Sequence, residues 1–539
     1  MAIELSNITF TDQDDIVPPS GMEEIVNTGI ANTLAGNDSI TGDTTRTVNE
    51  SLIGFYNIGT LNTDDGNDTI TGIGNPLIFS GSKGIFNTGT LNTGEGNDVI
   101  TGTGILQGIV SSGTLNTGEG DDVITGEGEE CIVNTGTLNT AQGNDRITAD
   151  SDGGSSLYNA GTLNTGEGND TITATNGLAP GINNTGTLNT AEGDDVITGE
   201  AYYNGIFTHS GSIFDTGDGN DTICGNSQEL SGFPTSGISN SSSTFNTGDG
   251  NDMIEGSGVY GIFNSGTINT GNGKDIITAN GTTIYNPDDS GGIFNSGTIN
   301  PSNDDDIITS TAVLYNNGVI KSGTGSSNEG TIDTSDGNDS IISEGNFTNR
   351  GNVFLGEGND SITADVDLTN RAIENFNFIG TGDGSDKITS TGVIYNEGVI
   401  ETGNGDDSII VDGGVNSTST GYGIYNNGGA INMGDGNHSI VANEGFESGY
   451  NSSGAWFLGE GDDYIKGSGS GDFYGGNGND TLELTPGTYT VGIWGEGGES
   501  PIFTKGNQLM ITSEFEKLKA GSTIYNFASL NAGQIIVVT

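Results

Sequence analysis

Three columns of aliphatic residues run along this chain at fixed distances from a recurring aspartate. Two residues after that acid stand Ile70, Ile100, Ile124, Ile147, Ile172, Ile197, Ile223, Ile254 and, near the end, Ile465 and Leu482. Seven residues before it stand Leu61, Leu91, Leu115, Leu138, Leu163, Leu188, Ile268, Ile299 and Ile400. Thirteen before it stand Ile85, Ile109, Ile132, Leu157, Ile182, Ile262, Ile293 and Ile394. No 3.6-residue period links the columns. Short segments rich in Ile, Val and Thr, broken by Gly-Asn and Thr-Gly, predict three short strands per repeat, each turning one aliphatic residue inward.

The acid belongs to a nine-residue phrase, clearest at Thr93-Gly94-Glu95-Gly96-Asn97-Asp98-Val99-Ile100-Thr101, that occurs in 18 copies 17 to 33 residues apart. A fixed phrase at such a period marks coils that bury their apolar faces against one another. The predicted fold is all-β: an elongated parallel β-solenoid (β-roll or β-helix) of about 18 irregular coils with terminal caps. The expected boundaries are an N-terminal cap over 1–28, repeats over 29–466, a stricter coil over 467–484, and a C-terminal cap over 485–539. Longer repeats are expected to carry excursions after the Ile-Thr-Gly segment, as at Gln228 to Ser243.

Asparagine also recurs in columns. One contains Asn87, Asn134, Asn159, Asn184, Asn264 and Asn295; another Asn62, Asn92, Asn139, Asn164, Asn189, Asn269 and Asn300. Stacked amides bond from coil to coil, so both columns are read as structural ladders at turns rather than as ligand sites.

Charge narrows the function. With 72 acidic and 12 basic residues, the formal charge is -60. That excludes a nucleic-acid partner, which needs a basic surface, and calls for cations. No stretch is apolar enough to span a membrane. Met1 to Thr11 lacks a basic and then apolar leader, so either cytoplasmic residence or export by another route is expected. Cys131 and Cys224 stand several coils apart, over ~10 Å at ~4.8 Å per coil, too far for a disulfide.

The phrase offers oxygen ligands for calcium, which takes six to eight. Its glycines turn the backbone and aim carbonyls, and the acid adds a carboxylate. The expected ligands are Asp38, Asp68, Asp98, Asp122, Asp145, Asp170, Asp195, Asp221, Asp252, Asp275, Asp339, Asp360, Asp386, Asp407, Asp463 and Asp480, with Gly94, Gly96, Gly476 and Gly478 shaping the turns. Asp306 follows a copy without its glycines, and His438 replaces the acid in another, so neither is expected to bind. A second acid three residues earlier (Glu95, Glu119, Glu167, Glu192, Asp218 and others) is read as solvated.

Gly475-Gly476-Asn477-Gly478-Asn479-Asp480-Thr481-Leu482-Glu483 is a complete Gly-Gly-x-Gly-x-Asp-x-aliphatic-x nonapeptide. It resembles the hemolysin-type calcium-binding repeat of the repeats-in-toxin (RTX) family. The resemblance covers roughly Leu34 to Glu483 and is looser elsewhere, where Thr often replaces the first glycine. It implies a parallel β-roll with Ca2+ between turns, and type I secretion through an uncleaved C-terminal signal. Phe515-Glu516-Lys517-Leu518 and Phe527-Ala528-Ser529-Leu530 are similar to the tails of large cyanobacterial proteins of this type.

The function expected from these features is a secreted, calcium-binding protein with a structural, surface or extracellular-matrix role that folds on binding calcium. Cell-surface polysaccharide and self-association are the candidate partnerships. An enzyme is not expected, since two histidines and no Gly-x-Ser-x-Gly or His-Glu-x-x-His phrase offer little chemistry. A polysaccharide-active enzyme on a parallel β-helix stands as an alternative. So does an ice- or surface-binding adhesin built on threonine ladders. The threonines considered for it, Thr69, Thr71, Thr171 and Thr173, flank an inward isoleucine. The position after the acid varies, as in Ser39, Val99, Arg146, Met253 and Lys387, which argues against a flat face there.

Overall fold

A computed structural model describes residues 2–18, 23–45, 52–76, 81–151, 153–228, 235–281, 292–312, 314–316, 331–365, 371–412, 422–449, 454–495 and 500–539. The chain forms two compact units, 1–273 with 277–285, and 274–276 with 286–539. Each is a β-solenoid of mostly parallel, short strands.

One coil shows the construction. Val99–Thr103 lies on a first sheet, Gln107–Ser111 on a second and Thr114–Asn116 on a third. The next acid, Asp122, closes the coil, and Val123–Gly128 pairs back in parallel on Val99–Thr103, placing Ile100 beside Ile124. Likewise Ile109 pairs with Ile132 and Leu91 with Leu115. Phrase neighbours therefore stack in register without slips over most of the array. The three aliphatic columns are the core: Ile100, Ile109 and Leu115 are fully buried. First- and third-sheet strands alternate, as in Val99–Thr103 and Thr114–Asn116, because the residues flanking the inward one face out.

Asparagine seals the corner between the second and third sheets. In the buried column, Asn134 Nδ2 donates to Asn159 Oδ1 at 2.9 Å, and Asn159 Nδ2 to Asn184 Oδ1 at 2.9 Å. The same nitrogens donate to the carbonyls of Thr162 and Thr187 in the next coil. The other column lies not at a turn but on the outward side of the third sheet, half-buried, and its chain runs in the opposite direction: Asn164 Nδ2 donates to Asn139 Oδ1 at 2.7 Å.

The segment Gln228 to Ser243 is not wholly an excursion. It contains Ser236–Asn240, a regular second-sheet strand that pairs with Ile206–Thr208 and Tyr260–Asn264. Residues 229–234 lie outside the described residues. The coil between Asp463 and Asp480 is short because it lacks a second-sheet strand. Tyr464–Gly467 and Gly471–Tyr474 are joined there by a single bridge of Gly469 to Phe446.

At the N-terminus, Ile3–Glu4 pairs with Ile25–Asn27 and Ile16–Val17 with Ser39–Asp43, so this segment forms a partial coil. At the C-terminus, Gln508–Ser513 and Lys517–Ala520 continue the third and first sheets in parallel. Gly487–Trp494, Ser500–Lys505 and Ile535–Val538 then add antiparallel strands around Tyr489, Val491 and Phe503. Both cysteines are free.

Candidate functional site

The key acids form a continuous buried ladder in each unit. The backbone N–H of each donates to Oδ1 of the acid one coil on. In the first unit this runs from Asp38 through Asp68, Asp98, Asp122, Asp145, Asp170, Asp195 and Asp221 to Asp252, at 2.7 to 2.8 Å. In the second it runs from Asp275 through Asp306, Asp339, Asp360 and Asp386 to Asp407, again at 2.7 to 2.8 Å. Asp407, His438, Asp463 and Asp480 continue it. These side chains are at most about 2% exposed. The glycines at their flanks let the backbone wrap around them and bury the carboxylates.

Asp306 was set aside in the sequence because its glycines are missing. It occupies a full rung, and Ser302 and Asp304 adopt the positive φ that glycine takes elsewhere. Each ladder also has an end that the phrase did not mark. Asp15 N–H donates to Asp38 Oδ1 at 2.8 Å, and Asp480 N–H donates to Glu516 Oε2 at 2.7 Å. The faint signals were an acid two residues before Val17 and an acid two before Leu518, each aliphatic residue stacking in the first-sheet column.

The second carboxylate oxygen decides the chemistry. Oδ2 of Asp38, Asp68, Asp98, Asp122, Asp145, Asp170, Asp195 and Asp221 is buried and has no hydrogen-bond partner, and so is that of Asp306, Asp339, Asp360, Asp386, Asp407, Asp463 and Asp480. A buried carboxylate oxygen without a donor is costly when charged. Burial accordingly raises the carboxyls: Asp68, Asp122, Asp170, Asp360 and Asp463 to about 7, and Asp195 to about 8. The threonine five residues earlier opposes the rise where it is present, as Thr190 does beside Asp195. This is why Thr stands where a glycine would open the phrase. Pro301 takes that place before Asp306, and its carboxyl rises further, to about 9, with Asp275 and Asp339 adding repulsion.

The glycines stack as closely as the acids. Gly94 and Gly96 have φ of +104° and +143°, and Gly476 and Gly478 of +100° and +154°. A Cβ on Gly96 would stand 1.8 Å from the carbonyl oxygen of Gly66, and one on Gly478 1.7 Å from that of Gly461. Backbone carbonyls and free carboxylate oxygens thus line one turn.

Outside the turn lie two exposed columns. The acids three residues before the key one, such as Glu95 and Glu119, face solvent. The residue immediately before it builds a second ladder that the sequence reading did not single out. Asp121 N–H donates to Asn97 Oδ1 and Asn144 N–H to Asp121 Oδ1, opposite in direction to the buried ladder. Among the described residues, no three His, Cys, Asp or Glu side chains converge on one point, so any cation in the turn would need carbonyl oxygens as well as carboxylates.

The third sheet of the first unit presents a different surface. Thr90–Asn92, Thr114–Asn116, Thr137–Asn139, Thr162–Asn164 and Thr187–Asn189 stack in register with Thr and Asn outward and Leu inward. The threonine hydroxyls make no bond within the protein, whereas the asparagines lock one another. A shallow trough of about 640 Å³ runs along this face from Asn92 to Asp215. The first-sheet threonines considered from sequence, Thr69, Thr71, Thr171 and Thr173, lie half-buried among mixed neighbours.

His209 Nε2 shares a hydrogen bond with Asn183 Oδ1, and His438 sits in the acid ladder. No helix among the described residues is long and apolar enough to cross a membrane.

No protein-family model matches the chain, and no curated protein matches it. Among solved structures, a hyperactive, Ca2+-dependent, β-helical antifreeze protein from an Antarctic bacterium is similar, at 17% identity and a TM-score of 0.23, covering 82% of each chain. At that similarity the fold assignment rests on the strand pairing described above.

Proposed function

We propose that this protein is an extracellular, non-enzymatic, calcium-binding solenoid that docks on an ordered surface, ice foremost, through the Thr–x–Asn face of its third sheet. That face carries the reading. Strands stack at about 4.8 Å and alternate residues lie about 6.7 Å apart, so the hydroxyls and amides form a two-dimensional grid. Five stacked strands from Thr90 to Asn189 place no charge on it, although the chain carries -60. A neutral, rigid, regular array of donors and acceptors suits ordered water. A charged face would hold a disordered counter-ion layer instead.

Calcium completes the scaffold in this reading. One free carboxylate oxygen in most coils and the glycine carbonyls of the same turn supply hard oxygens, the donors calcium prefers. Asp38, Asp68, Asp98, Asp122, Asp145, Asp170, Asp195, Asp221, Asp252, Asp275, Asp306, Asp339, Asp360, Asp386, Asp407, Asp463 and Asp480 would contribute carboxylates. The RTX-like repeat and a C-terminal export signal within 485–539 belong to the same proposal. Calcium at extracellular levels would then drive folding after export.

The test is ice-affinity partitioning and thermal hysteresis of the calcium-loaded chain. Thr137→Tyr with Thr162→Tyr places two rings on the grid. Ice activity should fall at least tenfold while melting and bound calcium stay unchanged. No ice activity in the parent, or full activity in the variant, rejects the surface reading. A structural or matrix role would then remain.

A further inference from the structure

The strand Ile535–Val538 forms an edge of the antiparallel sheet in the C-terminal cap. Among the described residues it pairs with Gly487–Trp494 alone. Ile536 and Val538 are buried, whereas Ile535 and Val537 stand 65% and 62% exposed. Thr488 and Thr490, which lie beside Val537 and Ile535, share that outer face with the exposed Trp494.

The backbone shows which groups are open. Val491 N–H donates to the Gln534 carbonyl, while Thr490 lies opposite Ile535 and Tyr489 opposite Ile536. Bonded and non-bonded pairs alternate along an antiparallel ladder. The bonded positions facing Gly487–Trp494 are therefore Gln534, Ile536 and Val538, and the N–H and C=O groups of Ile535 and Val537 point to the open edge. Such an edge is usually protected by a charged side chain or a proline. This strand has neither, and residues 520–539 hold no charged side chain at all.

Charge selects the partner. Residues 485–539 contain four acids and three lysines, so almost all of the formal charge of -60 lies on the preceding coils. Two chains meeting along those coils would bring like charges together; two meeting at this strand would not. The strand is also self-complementary. With a two-fold axis at Ile536, Ile535 of each copy exchanges backbone bonds with Val537 of the second copy, and the apolar side chains fall on one face. We propose that Ile535–Val538 is a dimer interface, at which two copies of this chain join their cap sheets edge to edge as an antiparallel pair.

The test is sedimentation equilibrium of the full chain in saturating calcium. Val537→Pro removes an outward N–H and keeps an apolar side chain, a change an edge position tolerates. Ile535→Lys keeps every backbone donor and adds a charge. Leu178→Lys makes the same exchange at an exposed leucine of the first unit and serves as the control. The parent and Leu178→Lys should dimerise equally. Each edge variant should weaken the dimer at least tenfold while its circular dichroism and melting match the parent. If Val537→Pro fails to fold, Ile535→Lys decides alone. A monomeric parent, a folded edge variant that dimerises as tightly as the parent, or equal weakening by Leu178→Lys overturns the proposal.

Discussion

Asp98 donates its backbone N–H to Oδ1 of Asp122 at 2.8 Å, and Oδ2 of Asp122 is left buried without a partner. This asymmetry repeats along the ladder. One oxygen holds the coils together, and the other carries the charge problem. Adjacent carboxylates repel, and burial raises them toward neutrality, so the cation-free ladder is under electrostatic strain that either protons or a divalent ion relieve.

The first prediction concerns Asp195→Asn. The amide oxygen can still accept the Asp170 N–H that Asp195 Oδ1 now receives, and the charge is gone. In calcium-free protein at pH 8 the variant should be more stable, by roughly 1–3 kcal/mol. In saturating calcium it should be less stable and bind fewer ions. Urea melts with and without calcium check both signs. Equal shifts in the two conditions reject calcium as the partner of Oδ2.

The pH dependence without calcium follows from the raised carboxyls. Asp122 and Asp170 stand at about 7 and Asp195 at about 8 when folded, against 3.8 as free groups. The folded state therefore holds more protons than the unfolded state between these values. Stability must fall as pH rises from about 4 to 8 and level off above that. Metal-free protein prepared by dialysis should melt higher at pH 5 than at pH 8. Saturating calcium should restore the pH 8 value. A metal-free protein that melts higher at pH 8 contradicts the buried ladder.

The two asparagine columns separate by burial. Asn159 donates to both Asn184 Oδ1 and the Thr187 carbonyl and is fully buried, whereas Asn164 is half-buried on the third sheet. Asn159→Ala leaves buried acceptors and donors unmatched and should cost about 2–3 kcal/mol; Asn164→Ala, with water able to replace the bond, should cost under about 1 kcal/mol. Equal losses in denaturant titrations would show that both columns act as one network.

Much of this was legible because side-chain period and stacking are set locally. The spacing of Leu91, Ile100 and Ile109 required three inward columns, and the structure has them. The direction of Asp98 was less visible. Its glycines were read as turning the backbone to aim carbonyls, and their positive φ also folds the backbone around the carboxylate and closes it in. Asp15 and Glu516 escaped notice because end rungs need only an acid near the right strand, without the glycines that an interior coil requires. The Thr–x–Asn grid was visible only as an asparagine column. Its threonines become a face once the register of Thr137 and Thr162 is known.

Glycine substitutions test the close stacking directly. Gly96→Ala puts a Cβ 1.8 Å from the Gly66 carbonyl oxygen at a φ of +143°, so both space and conformation oppose it. Gly211 has φ of +80° with nothing near its Cβ position, so Gly211→Ala meets only the conformational penalty. The expected costs are over about 3 kcal/mol and about 1 kcal/mol, respectively. Similar costs would mean that coil spacing near Gly66 relaxes freely.

Export through the C-terminus can be separated from capping by two truncations. Removing 508–539 takes away Gln508–Ser513, which stacks on Gly471–Tyr474, and Glu516, which accepts the Asp480 N–H. This truncation should lower stability as well as export. Removing 531–539 takes only the edge strand Ile535–Val538, which pairs with Gly487–Trp494 and exposes Ile535 and Val537. The parallel coils should therefore stay folded. If the signal lies at this end, both truncated proteins remain with the cells, and purified 1–530 keeps the β-sheet circular dichroism of the parent in calcium. If 1–530 reaches the medium at the parent level without lysis, the last strand is not part of the signal. If 1–507 does so too, the C-terminal export reading fails and the region serves the fold alone.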